Sequence, residues 1–136
     1  MRKHHTKTKG DIGVLKAQVD LMEKGYTICV PLTEHAPFDI VIYKDGQFKR
    51  VQVKYRSLKN GIIDIDIRSS WSDKHGSHSK LYKKEIDLIC AYCPDVDKCF
   101  YIPIENTTKK GRIRLRFDEP NKQMKNIRWA KDYEGL

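Results

Sequence analysis

Three polar side chains of different chemistry come together in the stretch Pro37 to Lys54: the carboxylate of Asp39, the amide of Gln52 and the amine of Lys54. Two runs rich in β-branched and aromatic residues flank Asp45-Gly46, a dipeptide suited to a two-residue type I′ turn. If Asp45 and Gly46 form the loop, Lys44 pairs with Gln47, and counting outward sets Asp39 opposite Gln52. Side chains alternate along a strand, so Asp39, Gln52, Arg50 and Lys54 share one face. Directly opposed Cβ atoms lie about 5 Å apart, and the diagonal Lys54 falls within about 8 Å. An acid, an amide and an amine on one patch suit ion binding or acid–base work. A solvated strand face with ordinary polar residues fits the same count.

The rest of the chain must position that patch. Its 136 residues suit a single domain over residues 1–136, and 39% hydrophobic with 33% charged residues describes a folded, water-soluble chain. No apolar run is long enough to span a membrane, and no signal-peptide core follows the basic start, so an intracellular, cytoplasmic protein is expected. The net charge of +9 favours a polyanionic partner, chiefly nucleic acid, although a ribosome-associated or membrane-surface protein would share it. Four cysteines occur, at positions 29, 90, 93 and 99. Cys90 and Cys93 have CxxC spacing, but no second ligand pair matches them, and zinc is not expected.

In chain order, residues 1–9 read as a basic arm. A helix is expected over Gly10–Lys24, with Asp11 at its start, Ile12, Leu15, Val19 and Met22 inward, and Gly25 as its stop. Tyr26–Val30 reads as a strand. Gly61–Arg68 alternates Ile63, Ile65 and Ile67 with Asp64, Asp66 and Arg68, which predicts a half-exposed strand. Ser69–Lys80 reads as a polar loop with one tryptophan, suited to phosphate contacts and base or sugar packing, and a short helix over Leu81–Glu85 is expected after it. Ile86–Cys93 and Cys99–Ile104 read as strands. Gly111–Phe117 alternates Arg112, Arg114 and Arg116 with Ile113, Leu115 and Phe117, a stripe fit for bidentate phosphate binding or for guarding an edge strand. A final helix is expected over Glu119–Tyr133.

This order of elements resembles the PD-(D/E)xK nuclease superfamily. The resemblance rests on Lys9-Gly10-Asp11-Ile12-Gly13, Lys24-Gly25-Tyr26, Pro37-Phe38-Asp39, Gln52-Val53-Lys54-Tyr55, Trp71-Ser72-Asp73 and the run from Glu85 to Pro103. It spans roughly residues 8 to 104. Within the superfamily the chain is similar to the small intron-encoded homing endonucleases, and more distantly to archaeal Holliday-junction resolvases. The resemblance implies an α/β fold with a restriction-endonuclease-like core, a mixed central sheet of about four to six strands flanked by helices. It implies catalysis by Asp39, Gln52 and Lys54, with Asp39 and Gln52 holding Mg²⁺, for which Mn²⁺ would substitute.

Relatives often carry a helix glutamate where this chain has Val14. Asp11, one turn earlier, is the expected replacement ligand, and Gln18, one turn later, is the other option. The implied substrate is double-stranded DNA, held by Lys7, Lys9, Arg50, Arg56, Arg68, Ser69, Trp71, Lys74, Lys80, Arg112, Arg114 and Arg116. The implied assembly is a dimer or tetramer, and the implied location the nucleoid. A catalytically impaired DNA-binding protein of the same fold, a junction resolvase, and a metal-independent RNA-associated protein are the alternatives.

Overall fold

The computed structural model describes residues 5–81, 84–118 and 122–136. Asp45 and Gly46 both take positive φ, 51° and 81°, as a type I′ turn requires. They join β2 (Ile40–Lys44) to β3 (Gln47–Tyr55), and the register runs from Lys44 opposite Gln47 to Ile40 opposite Val51. Extending it by one residue sets Asp39 against Gln52, and the Asp39 N–H donates to the Val51 carbonyl at 2.9 Å. Around this hairpin stand β1 (Thr27–Cys29), β7 (Leu88–Cys93) and β8 (Lys98–Pro103), in the order β1-β2-β3-β7-β8. Only the β3–β7 pair is parallel, so the five-stranded sheet is mixed. All six residues of β7 are buried, as befits a strand covered on both faces.

One face is covered by α1 (Thr6–Glu23). This helix departs from expectation twice. It begins four residues earlier than Gly10, with His5 as its cap accepting the Lys7 N–H, so Lys7 and Lys9 lie in the helix and not in an arm. Its buried residues are Gly13, Ala17 and Leu21, whereas Leu15, Val19 and Met22 are 61%, 57% and 64% exposed. Small residues decided the contact: a Cβ on Gly13 would lie 3.5 Å from the Tyr55 Cβ and the Val53 Cγ1. The helix approaches β3 along its narrow side, and larger apolar residues stand outside. Among the described residues no helix is long and apolar enough to cross a membrane.

The other face is covered by a second, two-stranded sheet where a second helix was expected. Here β4 (Ile62–Asp66) pairs antiparallel with β9 (Arg112–Arg116). Ile63, Ile65, Ile67, Ile113 and Leu115 pack against Ile89, Ala91, Phe100 and Ile102 of the central sheet. The expected final helix is confined to a 3₁₀ turn at Ala130–Tyr133, with residues 119–121 outside the described residues. Asn126 takes φ 59°, which a right-handed helix cannot continue through, and the Arg116 N–H bonds the Arg128 carbonyl at 2.9 Å, drawing the chain alongside β9.

The expected polar loop is a hairpin. β5 (Arg68–Asp73) and β6 (Gly76–Leu81) pair antiparallel from Arg68 opposite Leu81 to Asp73 opposite Gly76. Serine-rich strands carry no apolar signal, so periodicity could not announce them. Leu81 thus ends a strand, and Lys84 and Glu85 form a turn in place of the expected short helix, two of whose residues lie outside the described residues.

Candidate active site

The β2–β3 register and the side-chain alternation place Asp39, Gln52 and Lys54 on the sheet face turned away from α1, beside the start of the parallel β3–β7 junction. Asp39 is fixed by the backbone of β3: its Oδ2 accepts the Val53 N–H at 2.7 Å. Burial raises the Asp39 carboxyl above its ordinary value, opposed by that hydrogen bond and by the charge of Lys54. Burial lowers the Lys54 ammonium, helped by the cation of Arg56 and opposed by Asp39 and Asp66. Desolvation therefore acts on both groups, disfavouring the charged form of each.

Gln52 is 8% exposed, and its Nε2 donates to the Pro37 carbonyl at 3.3 Å. That bond directs Oε1 the other way, and Oε1 is buried with no hydrogen-bond partner among the described residues. A buried acceptor left so costs about 1–3 kcal/mol. A carboxylate just before β2 and an orphaned amide oxygen on β3 make an all-oxygen donor pair. Hard divalent cations such as Mg²⁺ take this kind of set, with water and substrate phosphate completing the shell. The residues present fit a divalent metal ion.

The remaining expected residues are distributed unevenly. Asp11 is exposed on α1, which packs on the Val51–Val53–Tyr55 face, whereas Gln52 and Lys54 alternate to the other. Among the described residues no group of three His, Cys, Asp or Glu is arranged to hold a metal. Val14 packs against the apolar cluster under α1. Arg50 is clamped to Asp87: Nε and Nη2 donate to the carboxylate at 3.0 Å each, and its backbone N–H does so at 2.8 Å. The hydrogen bonds from the Arg50 side chain hold the Asp87 carboxyl below its ordinary value. This pair braces the parallel junction.

Arg56, half-buried, donates to the Tyr55 carbonyl at 2.9 Å and lies within electrostatic reach of Asp66 and Asp64. On β9, Arg112 Nη2 reaches Asp64 Oδ2 at 2.8 Å and Arg114 Nε does so at 3.6 Å, while Arg116 Nη2 lies 3.6 Å from the Met124 sulfur. The basic stripe is thus partly neutralised from β4. Lys7 and Lys9 are exposed on the first turns of α1, and Lys74 is exposed in the β5–β6 turn. Arg68, Ser69, Trp71 and Lys80 belong to the same hairpin. The influence of Asp66 on Lys54 and Arg56 escaped the sequence reading, because it depends on how the second sheet docks.

A family profile described as PD-(D/E)XK endonuclease matches residues 4–136. The chain belongs to the PD-(D/E)XK endonuclease family. Its members are endonucleases that generally use divalent metal ions. Among solved structures the chain is similar to a bacterial homing endonuclease, I-Ssp6803I, at 24% identity and a TM-score of 0.76, over 96% of this chain and 88% of that one. The two share a fold. A search of curated proteins finds no match.

Proposed function

We propose that this chain is a Mg²⁺-dependent endonuclease that cuts double-stranded DNA at specific sites and acts inside the cell, at the nucleoid. The observation that carries the reading is the pairing of a desolvated, backbone-fixed Asp39 with the orphaned Oε1 of Gln52, beside Lys54. Asp39 Oδ1 and Gln52 Oε1 would hold the metal. When bound, the metal supplies Lewis-acid polarisation of the scissile phosphate and charge stabilisation as the leaving oxygen departs. The chain supplies position and proton control. Lys54 orients the attacking water, whose oxygen forms a bond to phosphorus as the P–O bond to the leaving oxygen breaks. Burial leaves a larger share of Lys54 as the neutral amine, which takes the proton of the attacking water and passes it to solvent, while the leaving oxygen takes its proton from water.

Both strands of a duplex must be cut, and one chain offers one such site, so the expected working unit contains at least two copies. A second reading, a DNA-binding protein of the same fold with impaired chemistry, is favoured by Val14, whose apolar packing leaves no carboxylate at that turn of α1.

Incubation with long duplex DNA and Mg²⁺, against a chelated control, separates the two. Strand breaks that require Mg²⁺ and vanish in Asp39→Ala support the nuclease. Tight binding that leaves DNA intact in every metal supports the impaired protein.

A further inference from the structure

Among the described residues the β5–β6 hairpin forms a separate two-stranded sheet. Isolated ribbons of this kind are marginally stable in water and are held by what they pack on or bind. Residues 72–77 are all exposed, and the run Ser-Asp-Lys-His-Gly-Ser contains no apolar side chain. Such an end has nothing to bury against protein. It is nevertheless ordered by its own polar groups. The Asp73 carboxylate accepts the His75 N–H at 2.7 Å and faces the His78 ring nitrogen at 3.0 Å, while the Ser72 and Ser77 hydroxyls lie 3.2 Å apart. Gly76, at φ 117°, permits the reversal.

Resting on the duplex-cutting reading above, we propose that this ribbon enters the major groove of the target DNA and reads base edges. The dimensions agree, since the major groove is about 12 Å wide and admits a two-stranded ribbon. The charge also agrees, with Arg68, Lys74 and Lys80 against a single acid. The mixture of groups distinguishes base reading from backbone tracking. A strip laid along phosphates is cationic throughout, whereas this tip offers two hydroxyls, two imidazoles and one ammonium beside a carboxylate that holds the His75 N–H and the His78 ring. Hydroxyl and ammonium groups are among those that match donor and acceptor patterns of base pairs.

The ribbon also starts in the right place. Arg68 follows closely on Asp66, whose charge is felt by Lys54. Six residues per strand extend about 20 Å at roughly 3.3 Å each, enough to place the tip up to about six base pairs from the cut at 3.4 Å per pair. Lys74, His75, Ser72 and Ser77 are the specificity-determining residues, and Asp73 is a positioning residue.

The test is binding-site selection from a randomised duplex library with the full-length protein in EDTA, followed by mapping of the cut in Mg²⁺. Wild type is compared with Lys74→Ala/His75→Ala and with Ser72→Ala/Ser77→Ala, each checked for an unchanged melting transition. The expected result is loss of base preference over a contiguous block of about three to four base pairs, set back from the cut, in at least one double variant. Preferences elsewhere persist. Asp73→Asn, which keeps an acceptor at that atom, is expected to retain more of the block than Asp73→Ala.

Selected sites identical to wild type in both double variants overturn the inference. So does a uniform fall in affinity with every preference intact, which would put the ribbon on the phosphates. Ribbon-dependent association of protein copies without DNA, seen by sedimentation, overturns it in favour of a self-contact. A wild type that selects no sequence defeats site-specific recognition itself and the inference with it, an outcome distinguishable from the others.

Discussion

The chain contains two hairpins of opposite character. In β2–β3, Ile40, Ile42 and Val51 are fully buried, α1 covers one face, and the parallel strand β7 extends the sheet. Among the described residues the strands β5 and β6 pair only with each other, and the tip is exposed and polar. The first can hold a carboxylate and an amine in partly dehydrated surroundings because packing on both sides prevents the strands from rearranging. The second can meet a large partner through its exposed tip. The embedded hairpin carries the proposed chemistry and the other the proposed recognition surface, and this division makes the two separately testable.

The largest expected effect concerns Lys54. Lys54→Met should slow single-turnover cleavage by on the order of 10³-fold, a loss consistent with removing a positioned charge and proton handler. The same change should leave the melting temperature at neutral pH unchanged or higher, because burial disfavours the ammonium it removes. A variant that cuts normally, or loses activity only by unfolding, would break the division.

The next effect is on stability. Ile42→Ala should cost about 2–5 kcal/mol in urea unfolding, as large-to-small changes in a closed core do. Ser77→Ala in the free hairpin should stay within about 0.5 kcal/mol. Equal costs would mean that the ribbon is packed after all.

These contrasts track what could be read from sequence. The central register was legible because Asp45-Gly46 specifies its turn and the flanking residues alternate, and Ile63, Ile65 and Ile67 announced a buried strand face. The face of α1 was not, since hydrophobicity points to Leu15, Val19 and Met22 while close approach is made by Gly13 and Ala17. The ribbon was hidden because serine has no periodic signal. At the site, Asp39, Gln52 and Lys54 could be brought together by counting. The clamp of Arg50 on Asp87 could not, for it joins residues 37 apart through a parallel pairing that local sequence does not encode.

A smaller effect is pH-dependent. The folded protein holds the Asp39 carboxyl above its ordinary value of 3.8, so the fold favours the protonated form. The resulting penalty is absent below the unfolded value and develops as pH rises through the folded one. In EDTA, Asp39→Asn should therefore melt at a higher temperature than wild type near pH 7, with the difference shrinking as pH falls towards 4. Excess Mg²⁺ should reverse the order by stabilising only the wild type. An advantage for Asp39→Asn that is independent of pH would remove desolvation as its cause.

Calorimetric titration of Mg²⁺, with Mn²⁺ as the parallel ion, into wild type, Asp39→Asn and Gln52→Glu tests the central claim most directly. It asks whether the desolvated carboxylate and the orphaned amide oxygen form one metal site. Wild type should bind, Asp39→Asn should lose at least about tenfold in affinity, and Gln52→Glu should gain about tenfold by adding a charge to the oxygen set. Identical isotherms for all three proteins would contradict it.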